Sequence, residues 1–202
     1  MMTVTYHVEQ GLYVNITNQC TNCCDFCIRN NKDGAYGSDS LWLEREPTED
    51  EIFDAIVKEN PNDFKEIVFC GYGEPTCRLD VLLAVCHRLR EVTDTPIRLN
   101  TNGHASLIAG EDVAPRFKGC FDTISISLNE ATAEKYQAIC HSCFGENGFF
   151  GMLDFAERVA DYVPFVLMSV VRQFLSDEDL AVCQKICTER GVALKVREYI
   201  AD

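Results

Sequence analysis

Six short runs rich in β-branched and aromatic residues recur along this 202-residue chain, separated by loops and segments of helical period. They are LYVNI (12–16), EIVFCGYG (66–73), PIRLNTNG (96–103), FDTISISLN (121–129), VPFVLMSVV (163–171) and VALKVREYI (192–200). Such residues favour strands. Among the intervening segments, PTEDEIFDAIVKEN carries Thr48 and Glu51 in a capping-box pattern before an apolar stripe of Ile52, Ala55 and Ile56. LDVLLAVCHRLREV, EATAEKYQAI, GFFGMLDFAERVADY and SDEDLAVCQKICTERG read as further helices, the last with Ser176 at its N-cap and Gly191 past its end. The stretch from His104 to Phe117 reads as helix or loop. Strands alternating with helices predict an α/β fold: a parallel sheet with helices outside. Six units in one run suggest a partial (β/α)6 barrel, an incomplete TIM-like barrel, formed as one domain over residues 1–202.

In that layout chemistry gathers at the carboxyl ends of the strands. The residues there are Cys20 to Cys27, GYGEP (71–75), TNG (101–103) and SLN (127–129). The start, MMTVTYHVEQ, has no basic patch leading into an apolar segment. No apolar run reaches the roughly 18 residues of a membrane span. The expected location is the cytoplasm, with no membrane partner. In a reducing compartment the 12 cysteines point to metal binding or chemistry rather than disulfides. A net charge of −14 disfavours direct nucleic-acid binding.

Four cysteines stand in the eight residues CTNCCDFC (20–27). Cys20, Cys24 and Cys27 have the spacing C-x3-C-x2-C. Thiolates are the soft donors that an iron–sulfur cluster needs, and three of them would leave one iron of a [4Fe–4S] cluster open. The adjacent Cys23 allows a second reading, C-x2-C followed by C-x3-C, with zinc held by four thiolates. Zinc sites usually draw ligands from two separated knuckles, and Cys23 reads more simply as a spectator.

The three-cysteine spacing, with aromatic Phe26 before the third cysteine, resembles the radical S-adenosylmethionine (SAM) superfamily. GYGEP resembles that family's Gly-Gly-Glu-Pro element, with Tyr72 at the second position. The resemblance runs from Leu12 to Tyr199. YVNITNQCTNCCDFCIRN and FCGYGEPTCR look most like the small TatD-associated radical SAM proteins. The resemblance implies a [4Fe–4S] cluster on Cys20, Cys24 and Cys27, which act catalytically through it, and SAM on the open iron. It implies SAM contacts from Phe26, Gly71, Tyr72, Gly73, Glu74, Thr101, Asn102, Ser125, Ser127, Asn129 and Arg172. Glu74 and a backbone carbonyl would take the SAM ammonium, and Arg172 the carboxylate. Ser127 and Asn129, alternating with Leu128, would share a face.

The implied activity is reductive cleavage of SAM to a 5′-deoxyadenosyl radical that abstracts hydrogen from a small molecule, peptide or protein. The electron would come from a donor such as flavodoxin or ferredoxin. Loops at 30–46 and 140–150 are candidate substrate contacts, and an open barrel side suits a large substrate. The rivals are an activase for a glycyl-radical enzyme, a non-catalytic metal module, and a nuclease accessory protein. Cys140 and Cys143 form a C-x2-C that reads either as half of an auxiliary metal site or as two loop cysteines, and His141 between them is equally open. Cys86, Cys183 and Cys187 lie on apolar helical stripes and read as core. Cys70 and Cys77 read as structural, His104 as a surface or packed residue with a minor claim on substrate, and Tyr36 as a packing or SAM-flanking group.

Overall fold

The computed structural model describes residues 2–30 and 33–198. Among the described residues seven strands form one sheet: β1 (Thr5–Val8), β2 (Gly11–Val14), β3 (Glu66–Phe69), β4 (Ile97–Thr101), β5 (Thr123–Ser127), β6 (Phe165–Val171) and β7 (Ala193–Arg197). They stand in sequence order, so every link joins neighbours. β2 to β7 run parallel, and β1 pairs antiparallel with β2. Among the described residues β7 pairs only with β6 and β1 only with β2, so the sheet is not closed into a barrel. The six parallel strands are the six of the sequence pattern. Residues 199 and 200 of the last expected strand lie outside the described residues.

The seventh strand corrects the sequence reading. β1 is a four-residue edge strand, TYHV, joined to β2 through Glu9 and Gln10. Glu9 adopts φ 52° there, so the turn lacks the Asn-Gly or Asp-Gly signature of a hairpin.

Among the described residues six α-helices cover the outer face: α1 (Glu49–Lys58), α2 (Leu79–Arg90), α3 (Ala105–Ala109), α4 (Ala133–Cys140), α5 (Asn147–Val159) and α6 (Asp177–Glu189). The capping box forms as read: Thr48 Oγ1 accepts from Glu51 N, and Thr48 N donates to the Glu51 carboxylate. Ser176 caps α6, and Gly191 follows that helix at φ 66°. The ambiguous stretch resolves into the short α3 and a 3₁₀ turn at Ala114–Phe117. No helix among the described residues is long and apolar enough to cross a membrane.

Strand alternation divides the sheet. Leu12, Val14, Ile67, Phe69, Ile97, Leu99, Ile124, Ile126, Met168 and Val170 point outward into the core under the helices. The intervening residues face inward, where Tyr13, Arg98, Asn100, Ser127, Lys195 and Arg197 line a cavity of about 1310 Å³. The interior of a closed (β/α)8 barrel is instead filled by branched apolar side chains. This interior mixes polar groups with apolar ones such as Val171 and Leu41, and it has room.

Candidate active site

The cysteine loop leaves β2 and is fastened by β3's turn. Gly71 and Gly73 permit the approach. A Cβ on Gly71 would stand 2.1 Å from Asn15 Oδ1, and one on Gly73 would stand 2.3 Å from the Thr17 carbonyl oxygen. Glu74 N donates to the Gln19 carbonyl at 2.7 Å, immediately before Cys20. Tyr72 is buried with its ring edge-on to Trp42, and its carbonyl accepts from Arg29. Tyr72 is thus held from both sides.

Glu74 ties β3 to β4. Its Oε1 accepts from Thr76 N, Thr76 Oγ1 and Thr101 Oγ1, and its Oε2 accepts from Asn102 N at 2.7 Å. Burial raises its pKa, and these hydrogen bonds oppose that rise. Four donors from its own chain hold this carboxylate, so it is first a strut. Asn102 then reaches the cysteine loop, donating through Nδ2 to Thr21 Oγ1 at 2.8 Å and lying 3.9 Å from Cys20 Sγ.

Behind Thr21 lies a residue whose structural part the sequence understated. His104 is fully buried. Its Nε2 donates to the Gly148 carbonyl at 3.1 Å, which fixes the tautomer, and Thr21 Oγ1 donates to Nδ1 at 2.9 Å. Tyr136 OH, 3.2 Å from Nε2, accepts from Asn22 Nδ2. His104 and Tyr136 therefore position both residues that follow Cys20.

The 140–143 segment clamps the same loop. Cys23 N donates to the Cys140 carbonyl, Asp25 N to the Ile139 carbonyl, and Cys143 N to the Thr21 carbonyl. His141 pairs with Asp25 at 2.9 Å. Cys140 is buried, and its sulfur accepts from Asn129 Nδ2 at 3.4 Å. No residue of 140–150 lines the lumen cavity, because this segment is spent on the clamp and on the start of α5. The strap at 33–41, by contrast, lines it through Ala35, Tyr36 and Leu41.

The remaining expected contacts separate. Phe26 lines the cavity and stacks on Phe174 at 5.1 Å. Cys27, Gly71, Tyr72 and Ser127 line it too, and Ser125 shares the lumen face with Ser127. Asn129 does not share that face. β5 ends at Ser127, and Asn129 adopts φ 63°, turning its amide back to Cys140. Arg172 lies just past β6 with its guanidinium engaged locally, 2.7 Å from the Leu175 carbonyl and 2.5 Å from Asp177 Oδ1. Cys86, Cys183 and Cys187 are core residues.

A family model described as the Radical SAM superfamily matches residues 14–185. The chain belongs to the radical SAM superfamily. Its members are enzymes that use a [4Fe–4S] cluster and S-adenosylmethionine. A curated relative, the "Probable GTP 3′,8-cyclase" of Methanocaldococcus jannaschii, is 28% identical over 202 residues, covering 95% of this chain and 59% of the relative. The chain thus spans less than two thirds of that protein's length. Streptococcus suis SuiB, solved with precursor peptide SuiA, matches with TM-score 0.66 and 16% identity over 95% of this chain and 39% of SuiB. A radical SAM methyltransferase from Sphaerobacter thermophilus matches with TM-score 0.60 and 15% identity, over 96% of this chain and 68% of that one. At such identities the likeness is one of fold, the open barrel.

The residues present fit the cluster and SAM. Among the described residues no three His, Cys, Asp or Glu side chains gather to hold a single metal ion. A cluster asks for less convergence, since each thiolate binds its own iron. All 12 cysteines are free thiols. Desolvation, with Glu74 next in weight, pushes the Cys20 thiol up to about 12, although the residue as a whole is open to solvent. A hydrogen bond with Cys140, then burial, pushes Cys24 up, and burial raises Cys27. Ligation of thiols therefore releases protons. Asn22 Oδ1 and Asn129 Oδ1, buried around this loop, lack partners. Gly71 and Gly73 let the β3 turn close onto Asn15 and Thr17 beside the cysteine loop.

Proposed function

We propose that Cys20, Cys24 and Cys27 hold the [4Fe–4S] cluster and that SAM lies between it and the GYGEP and TNG turns. The observation that carries this is the hydrogen-bonded weld of those two turns to the cysteine loop through Glu74, Asn102 and Thr21. The cluster and SAM together supply one-electron cleavage of the sulfonium and hydrogen abstraction from a substrate. The chain's own residues orient and shield. Asn102 and His104 fix the start of the loop, and Phe26 and Tyr72 offer apolar surface beside it. Ser127 and Ser125 offer hydroxyls across the lumen. The backbone carbonyls of GYGEP serve the SAM ammonium, with Glu74 holding them in place.

Residues 1–202 act as one domain in this reading, in the cytoplasm, with a flavodoxin or ferredoxin as electron donor. YVNITNQCTNCCDFCIRN and FCGYGEPTCR support placement among the TatD-associated members. The open side between β7 and β1 admits a substrate with an extended portion, as a peptide has. Anaerobic reconstitution with iron and sulfide tests the proposal. The expected product is a chain with about four irons that forms 5′-deoxyadenosine from SAM under reduction, as one [4Fe–4S] centre requires. C20A/C24A/C27A should abolish both. Zinc alone, without SAM cleavage, would overturn it.

A further inference from the structure

We propose that the lumen of the open barrel is a substrate chamber for an acidic molecule, whose carboxylate or phosphate group is taken by Arg197 and Lys195. This rests on the reading above, in which the same chamber meets the cysteine loop at its upper end.

The first observation concerns the arginines. Among the described residues, every arginine but one donates a hydrogen bond or joins an ion pair. The exception is Arg197, and Lys195 likewise lacks an ion-pair partner among the described residues. In a chain with 32 acidic and 18 basic side chains, cations have a surplus of partners to choose from. Two that stay free on one strand are placed for something else.

The second observation is where they stand. Lys195 is paired with Ser169 and Arg197 with Val171, so both fall on the lumen face of β7, while Leu194 packs against the core. Both line the cavity of about 1310 Å³ that Cys27, Phe26 and Ser127 also line. Tyr36 and Cys70 line the same cavity; burial raises both their pKa values, and the charge of Arg197 opposes that rise in each.

The third is the balance of charge inside. Three carboxylates also line the cavity: Glu9, Glu66 and Glu198. Glu66 is held bidentately by Arg98, at 2.9 and 2.6 Å, and Gln173 donates to Glu198. Glu9 sits in the turn at the opposite, amino-terminal end. Lys65 stands near Glu9 at that end, its amide on the Gln10 carbonyl. At the other end that leaves a guanidinium fork and an ammonium two residues apart on one strand, roughly 7 Å along it. This spacing suits two oxygens of one phosphate chain or two carboxylates of one molecule. The chamber exceeds the roughly 300–1,000 Å³ of a typical small-ligand pocket, which leaves room for SAM and a second molecule.

Isothermal titration of the cluster-loaded, SAM-bound chain tests this, with inorganic pyrophosphate and tricarballylate as separate probes. One or both should bind at one site per chain. Arg197→Gln should weaken that binding about tenfold, and K195Q/R197Q further, as loss of charge-assisted hydrogen bonds does. K58Q/K118Q, which removes two outer-surface lysines, should change it less than about twofold. Pyrophosphate alone would mark a phosphorylated substrate, and tricarballylate alone a polycarboxylic one. Binding of neither probe, or an equal loss in K58Q/K118Q, would overturn the proposal. Formation of 5′-deoxyadenosine in the same preparation separates the two readings. A chain that cleaves SAM but ignores both anions defeats the anion site alone. One that binds anions but cannot cleave SAM defeats the radical reading alone.

Discussion

Arg98 and Leu99 are neighbours on β4 and occupy opposite environments. Leu99 is fully buried against Ile97, Ile124 and the helices. Arg98 points the other way, forked onto Glu66 and 3.2 Å from Tyr13 OH. The same division runs along the sheet from β2 to β7. Apolar burial outside supplies most of the stability, and the lumen is left free to carry polar groups among apolar ones. Closed barrels fill their interior with apolar side chains and take chemistry only at the rim. An open barrel that keeps its core on one face has a lumen to spend on ligands.

The sharpest test compares the two faces directly. Leu99→Ala removes buried methyl groups from the outer face and should cost about 2–5 kcal/mol in urea denaturation. Ser127→Ala, on the lumen face of the next strand, should stay within about 0.5 kcal/mol. If Ser127→Ala cost as much as Leu99→Ala, the lumen would be a second packed core and the division would fail.

His104 breaks the pattern, since it is a titratable group on the dry side. Burial lowers its pKa from 6.5 to about 4. The unfolded chain therefore takes up a proton near pH 6.5 that the folded chain refuses until about pH 4. The contribution to stability is complete above pH 6.5 and falls as pH drops toward 4. That span corresponds to a loss on the order of 3 kcal/mol. Urea denaturation of the native chain and of His104→Gln, each at pH 7.5 and 5.0, should show a steeper loss in the native chain. Equal slopes would mean that His104 is already charged in the fold.

These two regions were not equally legible in the sequence. The outer face was, because period-2 and period-3.6 patterns report burial against one apolar layer, and capping signals such as Thr48–Glu51 are local. The cysteine spacing and GYGEP were legible because close approach and thiolate ligation restrict residue type. β1 was not, since a four-residue edge strand with a two-residue turn lacking glycine leaves no pattern. The clamp at Cys140 and Cys143 was hidden for another reason. It acts through backbone groups, which every residue carries, so CHSC drew attention for its sulfurs while its amides and carbonyls do the holding. His104 gave one clue, its place after TNG. That place gave it a minor claim on substrate beside the favoured surface or packed reading, and the structure buries it behind Thr21.

Arg172 tests where the lumen face ends. The family resemblance aims it at the SAM carboxylate, yet its guanidinium caps its own turn through Leu175 and Asp177. Both partners of that ion pair are well exposed, at 38% and 90% of their side chains. Arg172→Gln should therefore shift stability by less than about 1 kcal/mol. SAM affinity, measured by titration of the cluster-loaded chain, should change less than about twofold, because no contact to the lumen is lost. A loss of tenfold or more would require the Asp177 pair to open when SAM arrives. The lumen face would then extend past β6, with Arg172 joining Arg197 at the chamber's mouth.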